Sequence, residues 1–179
     1  MADVSAIFGI LLALGIVFPG LLTAWWLLFP ATVERARLRL DHSPWSCFWL
    51  GGVATALLVV PIVVLLALPI GPAKLAGWGL IFLALTFASL GAAGLAAKMA
   101  LRLQARGENS AVTAGVVTPG AFARAAIALE LAAAFPVVGW FIFIPLAIVT
   151  SLGATVFALL RWVPARAPEA APRTVSPTP

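Results

Sequence analysis

The sequence predicts an all-α integral membrane protein: a five-span helical bundle with its N-terminus outside and its C-terminal tail in the cytoplasm. Three observations carry this. The chain is 63% hydrophobic and 9% charged, with mean hydropathy +1.13, whereas soluble domains are about 25% charged. From Ala121 to Leu160 only Arg124 and Glu130 are charged, and a single helix of that length would be about 60 Å, twice the hydrocarbon core. The basic residues and tryptophans fall where membrane faces require them.

Span one is expected over 5–29, with a kink at Pro19-Gly20, because proline removes a backbone donor and crowds the preceding turn. The start, MADVSAIFGILLALGIVF, has Asp3 where a signal peptide is basic and an overlong apolar run, so it reads as a retained span. PATVERARLRLDHSPW follows, holding Glu34, Arg35, Arg37, Arg39 and Asp41. Val33, Ala36 and Leu40 share a helical face, so 31–41 reads either as a helix lying in the interface or as a solvated connector. Span two is expected over 48–68, closed by the breaker-rich PIGPAK, and span three over 76–98. A polar linker, LQARGENSAVTAG, leads to spans four (119–135) and five (139–161), which reverse at FPVVG, with a second kink at Pro145. Residues 1–162 thus form the bundle, and the Pro/Ala-rich tail, 163–179, is expected to be disordered.

Charge and aromatics favour five spans over four. With five, the clusters Arg35/Arg37/Arg39, Lys98/Arg102/Arg106 and Arg161/Arg166/Arg173 share the cytoplasmic side. Trp25, Trp26, Trp45, Trp49 and Trp162 then anchor the inner interface and Trp78 and Trp140 the outer one, with Arg124 snorkelling to phosphates. A four-span arrangement strands Trp140 in mid-membrane. A weak repeat points the same way: GWGLIFLALTFASLGA (77–92) matches GWFIFIPLAIVTSLGA (139–154) at Gly-Trp and Ser-Leu-Gly-Ala. The chain then reads as span one plus two related hairpins, 2–3 and 4–5. Chance matching of low-complexity spans is the alternative.

Few residues carry chemistry. Glu130, about 9 Å along the helix from the outer turn, reads either as a proton or cation site or as an acid reaching the headgroups and pairing with Lys74. His42 is the only histidine and lies outside the spans, so a haem-carrying subunit is not expected. His42, Asp41 and Cys47 fall short of a metal site, and the single cysteine excludes an internal disulfide. Neither a phosphate-binding glycine loop nor a nucleophile–base set is found, so no cofactor and no catalysis are expected. The charge of +5 reads as membrane topology rather than nucleic-acid binding. Ser89, Gly91, Ala92, Ala93 and Ala96, with Gly153 and Ala154, are small residues suited to close helix packing.

FPATVERARLRL followed by PW, then VVPIVVLLALPIG, a Gly/Ala-rich third span, and FPVVGW with LGA resemble an uncharacterised bacterial membrane domain found beside bactofilin-like, polymer-forming domains. The resemblance covers about residues 18–160, without any β-helical part. It implies a module of the bacterial inner membrane and no catalytic residues. The expected role is a structural or accessory membrane protein, a subunit or scaffold embedded in lipid among other membrane proteins. The alternative is a small transporter or channel with a polar site near Glu130.

Overall fold

A computed structural model describes residues 2–106, 116–135 and 137–162, with side chains from residue 15 onward. The tail, most of the polar linker and Pro136 lie outside the described residues, as do Arg166 and Arg173. Every element is helical: α1 (Ala2–Leu28), α2 (Pro30–His42), α3 (Pro44–Ala67), α4 (Gly71–Arg106), α5 (Pro119–Ala134), a π-helical turn (Gly139–Phe143) and α6 (Ile144–Leu159).

Prolines set several of these boundaries. A residue preceding proline is pushed out of the helical region, while proline itself suits the first helical position, where no N–H is needed. Phe29 (φ −127°, ψ 55°) and Ser43 (φ −150°, ψ 79°) accordingly leave helical geometry just before Pro30 and Pro44. Thr118 is extended before Pro119, and its hydroxyl accepts a hydrogen bond from the Ala121 N–H at 3.4 Å. Pro145 sits in the first turn of α6, and the preceding turn is π-wound, a common way to accommodate a proline break.

A sharp bend marks the end of the first span. α1 runs unbroken through Pro19, whose carbonyl accepts the Thr23 hydroxyl at 2.7 Å. The sharp change of direction, 106°, comes at Phe29-Pro30, at the expected end of span one. Residues 30–42 are a helix, and its apolar face is turned onto the bundle: Val33, Ala36, Arg37 and Leu40 are buried. α2 packs on α4 and α6. Its Val33/Ala36/Leu40 stripe covers protein rather than lipid.

Among the residues described with side chains, three helical segments are long and apolar enough to cross a membrane: Pro44–Ala67, Gly71–Arg106 and Gly139–Leu159. The bent pair Gly15–Leu28 and Pro30–His42 raises the number to four if it forms one span. The expected fourth span is the exception. α5 has 16 residues, about 24 Å against a core of about 30 Å.

Two apolar clusters hold the helices together. One gathers Leu22, Val33, the alanines of α4 from Ala92 to Ala100, and Ala121, Phe122, Ala125, Ala126 and Leu129 of α5. The other joins Ala36, Leu40 and Cys47 to Ala154, Phe157 and Ala158. Leu95 packs against both. α4 divides accordingly. Its stretch from Ala88 to Ala100 is largely buried, whereas Trp78, Phe82 and Leu85 in its first half are exposed.

Candidate functional site

The tightest part of the molecule is where α3, α4 and α6 cross. Gly51 faces the Val149 backbone, Gly153 faces the backbone of Cys47 and Gly51, and Gly91 faces the Ser151 carbonyl. A Cβ at any of the three would overlap those atoms. Only glycine permits such an approach. The Ser-Leu-Gly-Ala copies therefore lie in one junction, the glycine of the first against the serine of the second. Thr155 fastens the junction, donating to the Phe87 carbonyl at 2.7 Å across the α4–α6 contact. Ala92, Ala93, Ala96 and Ala154 are buried beside it.

Ser89 has a more specific place than general packing. Its hydroxyl accepts the Trp25 indole N–H at 3.0 Å and donates to the Thr86 carbonyl at 2.9 Å. Trp26 stacks on Phe122 with centroids 4.9 Å apart. Trp25 and Trp26 thus join α1 to α4 and α5. Trp45, Trp49, Trp78, Trp140 and Trp162 are exposed, and Arg124 is exposed on α5.

The structure does not bring Glu130 and Lys74 together. Glu130 is half-buried near the C-terminal end of α5, and Lys74 is exposed in the first turn of α4. α5 packs on the buried alanines of α4 beginning at Ala92, a stretch that starts about 27 Å along the axis from Lys74. The ion pairs among the described residues are Arg37 with Glu34 and Lys98 with Asp41.

Those two pairs organise α2. Arg37 is buried, and its guanidinium donates through Nε to the Glu34 carboxylate at 2.7 Å and again through its terminal nitrogen. The hydrogen bond from Arg37 to Glu34 holds the guanidinium above its ordinary pKa. Lys98 donates to the Leu40 carbonyl at 2.6 Å and approaches Asp41 at 3.4 Å, tying α4 to the end of α2. The i,i+3 spacing of Glu34 and Arg37 is visible in the sequence. The Lys98 contact is not, because it joins helices far apart in the chain. On the other flank, Arg39 lies over the Phe157 ring at 4.0 Å, and its buried Nε finds no acceptor among the described residues.

The threonine hydroxyls in the spans are turned onto backbone, Thr55 to Gly51, Thr86 to Phe82 and Thr150 to Leu146, whereas the buried Ser151 hydroxyl finds no partner among the described residues. A shallow groove of about 340 Å³ opens between Trp45, Phe48, Phe143 and Leu146, and Thr150 supplies its one side-chain hydroxyl. No group of three or more His, Cys, Asp or Glu side chains among the described residues could hold a metal ion. Compared with protein-family models, curated proteins and solved structures, the chain matches none.

Proposed function

We propose that the chain is a non-enzymatic structural or accessory membrane protein, a small helical subunit or scaffold that assembles with other membrane proteins. The observation that carries this reading is the use made of its polar groups. Thr23, Thr55, Thr86 and Thr150 bond to their own helices, Ser89 and Thr155 join helices, and Arg37 and Lys98 fasten α2. Such an interior favours a fixed scaffold over a wet path or a reacting site. The finer topology belongs to the same proposal: five spans, the N-terminus outside, and residence in the bacterial inner membrane, which the resemblance to the bactofilin-associated domain implies.

Purification of the native chain in mild detergent tests the role. A partner protein retained at fixed stoichiometry is the expected result. A chain that elutes alone, as a monomer, counts against it.

A second reading, a small transporter or channel, draws on one observation. Glu130 is half-buried on an apolar helix and forms no ion pair among the described residues, and an acid at membrane depth is a candidate transport group. Proton or cation flux in proteoliposomes that Glu130→Gln abolishes would establish this reading in place of the first.

A further inference from the structure

We propose that the edge between α2 and the C-terminal end of α6 binds the phosphate group of an anionic lipid headgroup. The proposal goes beyond the scaffold role and does not depend on which protein the chain assembles with. It starts from a division of charge on α2. At 100° per residue, Glu34, Arg37 and Asp41 fall to one side of the Val33/Ala36/Leu40 face, and Arg35, Arg39 and His42 fall to the other. The first side is compensated, Glu34 by Arg37 and Asp41 by Lys98. The second side carries no acid. No ion pair among the described residues reaches Arg35, Arg39 or His42.

The neighbouring element fits an anion there. The guanidinium carbon of Arg39 lies over Phe157, 4.0 Å from the ring centre, and no carboxylate pairs with it among the described residues. Its Nε is buried without an acceptor among the described residues. Phe157 also meets Trp162 at 6.4 Å, and Arg161 is exposed between them in the chain. A stacked guanidinium is restrained before binding and presents a planar fork that matches two phosphate oxygens.

Free inorganic phosphate shares this chemistry. The lipid source is favoured by what surrounds the cation: Leu159, Leu160 and Trp162 are exposed at 52%, 58% and 69%. Exposed leucines and a tryptophan beside a basic group suit glycerol and acyl carbons at headgroup depth. A free anion has no use for them.

The test uses the full chain in mild detergent, with phosphatidylglycerol and phosphatidylcholine as probes and bound lipid read by native mass spectrometry. Wild type should prefer phosphatidylglycerol. At about 1 kcal/mol per basic residue, Arg39→Ala should weaken that binding about fivefold, and Arg35→Ala/Arg39→Ala about thirtyfold. Arg39→Lys, which keeps the charge and loses the planar fork, should fall between wild type and Arg39→Ala. Arg102→Ala, an exposed basic residue of α4, should leave binding unchanged. Arg35→Ala/Arg161→Ala leaves the Phe157 stack in place and should also weaken binding, which covers the case in which Arg39→Ala fails to fold. Equal binding of phosphatidylcholine overturns the proposal, as does equal loss in Arg102→Ala. Displacement of phosphatidylglycerol by millimolar inorganic phosphate overturns the lipid assignment and gives the site to the free anion.

Discussion

Gly153 of α6 lies against the backbone of Cys47 in α3. A Cβ added to Gly153 would overlap the Cys47 carbonyl oxygen and stand 2.8 Å from the Gly51 amide nitrogen. Neither neighbour can yield as a flexible side chain would, because both are helix backbone. With no hydrophobic drive between helices in lipid, this contact depends on packing alone. Gly153→Ala should therefore destabilise the bundle by about 1–3 kcal/mol, the range for overpacking. Gly91→Ala should do the same. Gly52 and Gly79 meet no atom within 4 Å of an added Cβ. Their alanine variants should be neutral, or more stable by up to about 1 kcal/mol from helix propensity. Thermal melts in detergent distinguish the two groups.

Glu34 and Arg37 give a second expectation. Arg37 is 7% exposed, so Glu34→Ala leaves a buried guanidinium without its carboxylate. The loss should be about 1.5–3 kcal/mol, the range for a hydrogen bond to a charged group, and toward the low end because Glu34 is itself partly exposed. The sign of any pH effect follows from the raised value of Arg37. Its contribution is complete below the ordinary arginine pKa and is lost only as pH rises through the raised one. Melting temperatures measured between neutral and mildly alkaline pH should show no loss from this group.

Trp25 and Ser89 connect α1 to α4 through one hydrogen bond. Interhelical bonds of this kind in membrane proteins average about 0.6 kcal/mol, so Ser89→Ala should be a small loss. Phe122 is fully buried and stacked on Trp26. Phe122→Ala should be far larger, about 3–5 kcal/mol by the cavity scale. Equal effects from the two variants would mean that α1 is held otherwise than by these contacts.

How far the sequence can be read follows from the same residues. Proline starts at Pro30, Pro44 and Pro119 are local and legible in the chain, whereas α4 runs from Gly71 to Arg106, beyond both ends of the apolar run placed at 76–98. Small residues at Gly91 and Gly153 are visible as a pattern, but their partners are not. Lipid and protein interior are equally apolar, so hydropathy does not separate a buried face from a lipid-facing one. Trp25 and Trp26, placed at the inner interface by composition, are half-buried in helix contacts for that reason. The 106° turn comes at Phe29-Pro30, where the first apolar run ends and the charged segment begins. α5, Pro119–Ala134, ends just before Phe135-Pro136, close to the 119–135 that the sequence suggests.

Glu130 and Lys74 supply a test of an interaction the sequence suggested. With Lys74 exposed at the start of α4 and α5 packed on the alanines from Ala92 onward, the two should be energetically independent. A double-mutant cycle of Glu130→Gln and Lys74→Gln should give an interaction within about 0.3–0.5 kcal/mol of zero, the limit for distant sites. A coupling above about 1 kcal/mol would restore the pair.

The span count turns on the short helix α5. If five spans hold, Val137 after α5 and Gly71 at the start of α4 face the same side, and Gly120 faces the other. All three are exposed, and the native Cys47 is buried. Single cysteines at these positions should then label in two classes with a membrane-impermeant thiol reagent: Gly71→Cys and Val137→Cys from outside, Gly120→Cys only after the membrane is opened. At about 24 Å, α5 falls short of a core of about 30 Å, so a five-span chain has to thin the bilayer locally or draw in the flanking residues. If α5 instead enters and returns, Val137→Cys will be shielded from outside while Gly71→Cys still labels. That single difference decides between a full fourth span and a half-span, and with it the side on which Arg161 lies.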